Sequence, residues 1–404
     1  MAGVITDEKL IEEVLTRGVE RVFPSKDSLA AVLKSGRKLR IYLGADPTGP
    51  HLHFGHATNI LTLKKLQKLG HEIIFLIGDF TARIGDPSGK TTARAPLTSA
   101  EVKANMKTFK NQVSKLLKLG LGGAKIKFNA DWLSKMSFED VVGLAGHFTV
   151  QQMMERDMFQ ERVREGKPVG LHEFLYPLMQ GYDSVAMDVD IEVGGNDQTF
   201  NMMAGRTLAK DYLGKEKFVI ATRLLVNPKT GKKLMNKSEG GMINLDDSAR
   251  DIFGKVMAIA DEAMFEFAEL STEMTLQHIG GLKSRKDRGE NPRDLKLEIA
   301  EAATELLYGK EVAKKERENF LNLFSKHEIS GELPVIKTPG KISALDFVLI
   351  TGVADSKSEA RRLITQGSLM VNEKKVEDPA AELFFHNGDT AKAGKKNYFR
   401  IEIK

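Results

Sequence analysis

The chain has 404 residues, 41% hydrophobic and 28% charged, with formal net charge +5 and a pI near 9.0, too long for one ordinary core and mildly suited to an anionic partner. It contains no cysteine, which excludes disulfides, thiolate nucleophiles and cysteine-based zinc sites. No apolar run approaches the ~20 residues that span a bilayer, and the opening MAGVITDEKLIEEV lacks a signal-peptide pattern, so the expectation is a cytoplasmic protein of two or three domains with no membrane role.

Residues 38–44, KLRIYLG, read as a buried strand that ends in a glycine turn. A helix is expected from about His56 to Leu69, with Ile60, Leu61, Leu63, Leu66 and Leu69 at helical spacing. HEIIFLIGDF then reads as a second strand, so the unit is βαβ and the sheet is parallel. Ligands of such sheets sit at the carboxyl ends of the strands, where both Gly44–His56 and IGDPSGK begin. Residues 98–172 read as mostly helical, opening on a capping box at Thr98 and Glu101, and form an insertion in the sheet domain. MDVDIEVGG at 187–195 and KFVIATRLLV at 217–226 return to strand. From Asp246 to about His327 the pattern is helical, and ISGELPVIKTPGK is a Pro/Gly linker. The rest is a compact α+β module.

Five stretches carry polar chemistry. His51, His53 and His56 fall on a glycine- and proline-rich turn. Metal ligation, general-base action and a solvated turn are all open to that spacing. Their place at a helix N-terminus favours an anion, because the free N–H groups and the dipole repel a cation there. IGDPSGKTTAR carries Asp86, Lys90 and Arg94, but only three residues separate Gly85 from Gly89, so it is not a P-loop. YPLMQGYD places Tyr176, Gln180 and Asp183 at i, i+4 and i+7, one face of a helix. That pattern suits a ligand site or a buried hydrogen-bonded network. VGGNDQTFN offers Gly195, Asp197 and Gln198 where backbone approaches closely. NPKTGKKLMNKSEGG, within a mobile loop expected at 227–241, is a solvated loop or a basic flap over a polyphosphate.

Taken together and in order, these stretches resemble the class I aminoacyl-tRNA synthetases, specifically the bacterial-type tyrosyl-tRNA synthetase family. HFGH is similar to the family's HIGH signature with Phe54 for isoleucine, and LMNKS is similar to KMSKS. The resemblance runs from about residue 30 to the end, where 342–404 resembles an S4-type RNA-binding domain. It implies an α/β fold: a Rossmann-like parallel-sheet catalytic domain at 1–245 with the helical insertion, an α-helical domain at 246–328, a linker at 329–341 and a small α+β S4-type domain.

The implied activity is tyrosine–tRNA ligation. L-tyrosine and ATP, the latter with Mg2+, give tyrosyl-adenylate, and the tyrosyl group passes to tRNA(Tyr). No permanently bound cofactor or protein metal site is implied. By the same resemblance Thr48, His53, His56, Lys90, Arg94, Lys237 and Ser238 act on the phosphates. Gly44, Asp46, His53, His56, Gly195, Asp197 and Lys237 bind ATP. Asp86, Tyr176 and Gln180 hold the substrate ammonium with help from Gln198, while Tyr42 and Asp183 bond the phenol hydroxyl. An indole would offer only a donor to that pair, which argues against a tryptophan enzyme. Lys357, Arg361 and Arg362, clustered on one helical face, would touch tRNA, and a homodimer is implied with 98–172 as its interface. One position departs from the pattern: Leu234 stands where the signature has its first lysine, Lys233 precedes it, and Asn236 replaces the signature serine.

Overall fold

The computed structural model describes residues 3–88, 96–235, 241–325, 333–372, 374–394 and 397–404. It divides into two compact units, 1–317 and 318–404.

The first unit is built on a six-stranded sheet: β1 (Val19–Phe23), β2 (Arg40–Ala45), β3 (Glu72–Ile77), β4 (Lys125–Phe128), β5 (Ile191–Gly195) and β6 (Phe218–Thr222), in the spatial order β1-β6-β5-β2-β3-β4. All neighbouring pairs are parallel except β1 with β6. β3, β5 and β6 are almost wholly buried, as is the centre of β2 at Ile41, Tyr42 and Leu43, as strands covered by helices on both faces must be. The chain runs outward from β2 through β3 to β4, then returns to place β5 on the other side of β2. The crevice at this reversal, outside the carboxyl ends of β2 and β5, is where such sheets bind ligands.

Two strands differ from the sequence expectation. β4 lies inside the 98–172 stretch, so that stretch is not wholly helical: its Lys-Ile-Lys-Phe alternation completes the sheet edge against β3. β1 precedes the resemblance altogether and closes the opposite edge.

The signature helix spans Phe54–Lys68, two residues earlier than expected. Phe54 is fully buried, its ring 5.2 Å from that of Phe267, and its amide donates to Ile243 O at 3.0 Å. The bulkier residue at this signature position is therefore a core anchor. A second helix, Leu171–Ala186, packs against Thr199–Leu213. A Cβ on Gly181 would meet Leu208 Cδ1 at 2.8 Å, so glycine sets that close approach. The helices Ala249–Met257 and Pro292–Tyr308 pack together within the same compact unit as the sheet, although the sequence reading separated them at residue 245.

The second unit has a five-stranded sheet, ordered β10-β9-β12-β13-β7, and a two-stranded one, β11-β8. Its strands are β7 (Val335–Thr338), β8 (Lys341–Ser343), β9 (Leu369–Val371), β10 (Lys374–Val376), β11 (Glu382–Phe384), β12 (Thr390–Ala393) and β13 (Asn397–Ile403). Within the expected linker at 329–341, residues 335–338 form the strand β7. β7 pairs in parallel with β13, satisfying the backbone of residues 335–338 in a ladder. The helices Ala344–Ile350 and Lys357–Thr365 cover this unit's own apolar core around Phe347, Ile364, Leu369 and Ile401.

Candidate active site

A cavity of about 380 Å³ opens at the reversal between β2 and β5, and its wall includes residues from β2, the signature helix, Leu171–Ala186 and β5. Backbone geometry sets its outline. Gly78 ends the approach of β3 to Asp46, where a Cβ would lie 2.0 Å from Asp46 Oδ1.

The inner end is buried, and its polar groups are held by hydrogen bonds that leave acceptor positions open to a ligand. Tyr42, in β2, is 0% exposed, and its hydroxyl lies 3.1 Å from Ser184 Oγ and 3.4 Å from the Gln180 carbonyl. Asp183 accepts from Trp132 Nε1 at 2.8 Å and from Asn129 Nδ2 at 3.3 Å. Burial first, and the nearby Glu192 and Asp46 carboxylates after it, push the Asp183 carboxyl well above the ordinary range, against the pull of its two donors. Burial likewise raises both phenols, Tyr42 and Tyr176.

The cavity wall also carries a set of paired polar groups. Tyr176 donates to Asp46 Oδ2 at 2.8 Å, Gln180 Nε2 to Glu192 Oε1 at 2.9 Å, and Gln198 Nε2 to Asp86 Oδ2 at 2.7 Å. Asp86 Oδ1 also accepts the Ser88 amide at 2.9 Å, which shapes the GDPS turn. Carboxylate and carboxamide oxygens are the partners that a cation with several N–H donors requires.

The outer end is the helix terminus. His53 caps it. His53 Nδ1 accepts the Gly55 amide at 3.1 Å and His56 Nδ1 accepts the His53 amide at 3.1 Å. The imidazole centroids lie 4.0 Å apart, with the rings tilted by 40°. A Cβ on Gly55 would lie 2.9 Å from His53 Cε1, so glycine makes room for this cap. Burial lowers the histidines to about 4 and about 3 respectively, so both are neutral at pH 7. With each Nδ1 spent as an acceptor, the single ring proton of each sits on Nε2. The terminus thus offers two fixed neutral donors, beside a helix dipole that favours anions. Thr48, Gly195 and Asp197 also line the cavity, and Lys233 Nζ lies 2.7 Å from Asp197 Oδ2.

The family model for the class I tRNA synthetases (W and Y) matches residues 34–325, and that for the S4 domain matches 345–383. The chain belongs to the class I tRNA synthetases of the W and Y type. A tyrosine–tRNA ligase of Carboxydothermus hydrogenoformans is 39% identical over 96% of this chain and 97% of its own length. One from Francisella tularensis is 41% identical over 97% and 98%. Among solved structures, a C-terminally truncated mitochondrial tyrosyl-tRNA synthetase of Aspergillus nidulans shares the fold with TM-score 0.66 and 24% identity, over 78% of this chain and 94% of that one. That of Archaeoglobus fulgidus, complexed with L-tyrosine, does so with TM-score 0.59 and 23% identity, over 77% and 100%.

In this synthetase the cavity gathers Tyr42, Gly44, Asp46, Thr48, His53, His56, Asp86, Tyr176, Gln180, Asp183, Gly195, Asp197 and Gln198, every described residue proposed from the sequence for the small-molecule substrates. His51 stands apart: it is exposed and pairs with Asp246 at 2.8 Å. Among the described residues no cluster of three or more His, Asp or Glu side chains is arranged to hold a metal. Lys90, Arg94, Lys237 and Ser238 lie outside the described residues. The altered signature has a physical reading in its described part. Leu234 is only 3% exposed, whereas Lys233 is exposed and lines the cavity. The lysine thus stands one residue early, where the chain points outward. On the second unit, Lys357, Arg361 and Arg362 are exposed while Ala360 and Ile364 of the same helix are buried.

Sequence reasoning missed Asn129, Trp132, Ser184, Glu192 and Lys217. A signal existed for Glu192: one carboxylate inside the otherwise apolar, glycine-ended strand IEVGG needs a partner. Trp132 and Asn129 follow β4, the strand that was not foreseen.

Proposed function

We propose that this synthetase activates L-tyrosine and charges tRNA(Tyr). The observation that carries the reading is that Tyr42 and Asp183, both buried, line the same cavity as the N-terminus of the signature helix, a site suited to an anion. A phenol O–H both donates and accepts, and it meets a hydroxyl and a carboxyl there. A phenylalanine ring would leave those buried groups unpaired, a cost of roughly 1–3 kcal/mol for each. Asp86, Tyr176 and Gln180 receive the substrate ammonium, assisted by Gln198.

That seat leaves the tyrosine carboxylate facing the nucleotide. Its oxygen attacks the ATP α-phosphorus, the bond to the bridging oxygen breaks, and pyrophosphate departs. No protein nucleophile is needed. Catalysis is positioning and charge stabilisation. The Nε2–H groups of His53 and His56 donate to phosphate oxygens with Thr48. Gly195 and Asp197 hold the ribose, with Gly44 and Asp46 lining the nucleotide path. Lys90, Arg94, Lys237 and Ser238 neutralise the leaving pyrophosphate, joined by Lys233. ATP enters as its magnesium complex, the ion riding on phosphate oxygens. The 3′-terminal ribose hydroxyl of tRNA then attacks the carbonyl carbon and AMP leaves.

Lys357, Arg361 and Arg362 offer an exposed basic face to the tRNA backbone. The assembly is a homodimer through the 98–172 region, a reading supported by exposed apolar side chains there: Phe138 is 84% and Leu171 78% exposed, with Val142, Val150 and Val163 also exposed. The place of action is the cytoplasm, and among the described residues no helix is long and apolar enough to cross a membrane.

ATP–pyrophosphate exchange measured with each of the twenty amino acids tests the reading. Tyrosine alone should support exchange; equal or greater exchange with tryptophan would overturn it. Arg361→Glu/Arg362→Glu should raise the KM for tRNA about tenfold and reduce its salt dependence, with exchange unchanged.

A further inference from the structure

Beneath the Gln180 amide lies an ion pair to which none of the roles above is assigned. Glu192, the second residue of β5, is 2% exposed, and Lys217, one residue before β6, is 0% exposed. Glu192 stands in register with Tyr42 on the neighbouring parallel strand, so both side chains project from the same face of the sheet. One carboxylate oxygen, Oε2, is bonded to Lys217 Nζ. The other, Oε1, accepts Gln180 Nε2 at 2.9 Å. Lys217 also donates to the Met202 carbonyl at 3.1 Å and lies 5.9 Å from the centre of the Tyr42 ring.

We infer that the Glu192–Lys217 pair is a positioning device for recognition of the substrate ammonium, holding the Gln180 carboxamide with its oxygen turned away from the pair and toward the ligand. The inference rests on the tyrosine-activating reading above. Its logic is donor and acceptor counting. A carboxamide has two donors at one end and an acceptor at the other, of nearly equal size. An ammonium offers donors only, so it needs the oxygen end. A carboxylate in an ion pair offers acceptors only, so it captures the NH2 end and leaves the oxygen free. Without that constraint, half of the amide's orientations present N–H groups to a cation.

Lys217 makes the arrangement tolerable. Glu192 shares its surroundings with Asp183 and Tyr42, whose ionised forms it disfavours. Arg206, on the helix Thr199–Leu213, acts against the charged form of Lys217 but is itself paired with Glu216. An unpaired carboxylate there would be a buried uncompensated charge. A purely structural role is the competing account, since buried ion pairs often exchange for apolar residues at no cost. The two accounts separate in the double variant.

Glu192→Gln/Lys217→Met in the full chain removes both charges together and leaves an amide that can either donate or accept. The measurements are the thermal midpoint, the KM values for tyrosine and ATP in exchange, and binding of two inhibitors by calorimetry. Tyramine keeps the ammonium and lacks the carboxylate; 4-hydroxyphenylpropionate has the reverse. Positioning predicts a midpoint within a few degrees of the parent. It predicts tyrosine KM and tyramine Kd raised about tenfold, the loss of one bond to a charged group. ATP KM and 4-hydroxyphenylpropionate Kd should stay within about twofold. An unchanged tyramine Kd, or equal weakening of both inhibitors, overturns the inference. If the double variant does not fold, Glu192→Gln alone carries the same inhibitor comparison. A parent protein that binds tyramine but shows no tyrosine-dependent exchange would instead contradict the functional reading.

Discussion

The two ends of the cavity are built differently. At the inner end every polar group named is buried or half-buried and already bonded: Asp183 to Trp132 and Asn129, Gln180 to Glu192, Gln198 to Asp86. At the outer end the fixed elements are backbone-bound, namely the two imidazoles at the helix terminus, while the cation on view, Lys233, is on an exposed chain held by one carboxylate. In the proposed reading the inner end discriminates by leaving buried acceptor positions unfilled when a wrong ligand enters, which demands rigidity. The outer end must receive a polyphosphate, stabilise charge as it develops and release pyrophosphate, which demands groups that can move.

The widest separation between the two ends should appear on removing the signature lysine. Lys237→Ala is expected to cost roughly 2–4 kcal/mol in activation, the range for one preorganised donor to a developing charge. Stopped-flow adenylate formation should slow accordingly with tyrosine KM unchanged. A rise in tyrosine KM instead would erase the division between the ends.

Acid stability gives the next largest effect. His53 and His56 titrate at about 4 and about 3 in the folded protein, against about 6.5 when unfolded. Below pH 6.5 the unfolded state therefore binds protons that the folded state refuses, and stability falls as pH drops from about 6.5 toward 4. The slope is at most ~1.4 kcal/mol per pH unit for each histidine. Denaturant titrations across that window should show a shallower slope in His53→Gln/His56→Gln. An identical slope would mean these imidazoles are not held neutral by the fold. Conversely, the parent's kcat/KM for ATP should show no histidine inflection between pH 6 and 8.

The smallest effect belongs to Lys233→Ala. Its pair with Asp197 is exposed and worth under about 1 kcal/mol, so a measurable slowing of adenylate formation, less than that of Lys237→Ala, is expected with tyrosine KM unchanged. Wild-type rates would mean that Leu234 marks the loss of one phosphate contact.

The legibility of these two ends from sequence was also unequal. Local patterns suffice for side chains placed by one element: the i, i+4, i+7 face of Leu171–Ala186 carries Tyr176, Gln180 and Asp183, and the helix start carries His53 and His56. The central strands were recoverable because parallel strands buried on both faces are continuous apolar runs. The edge strands were not: β4 has four residues of alternating lysine and apolar side chains, and β1 shows a mixed exposure pattern, so neither resembles a buried run. Missing β4 hid Asn129 and Trp132 as partners of Asp183. Glu192 and Lys217 are 25 residues apart in sequence, and only the pairing of β5 with β6 brings them together.

The most direct test of this division is the ratio of kcat/KM for tyrosine over phenylalanine in pyrophosphate exchange, compared between the parent and Asp183→Ala. A ratio within one protein is insensitive to the fraction folded. If the inner end discriminates through unpaired buried groups, the variant's ratio should fall by roughly 10- to 100-fold, corresponding to ~1–3 kcal/mol, with ATP KM unchanged. A ratio equal to the parent's would contradict the account.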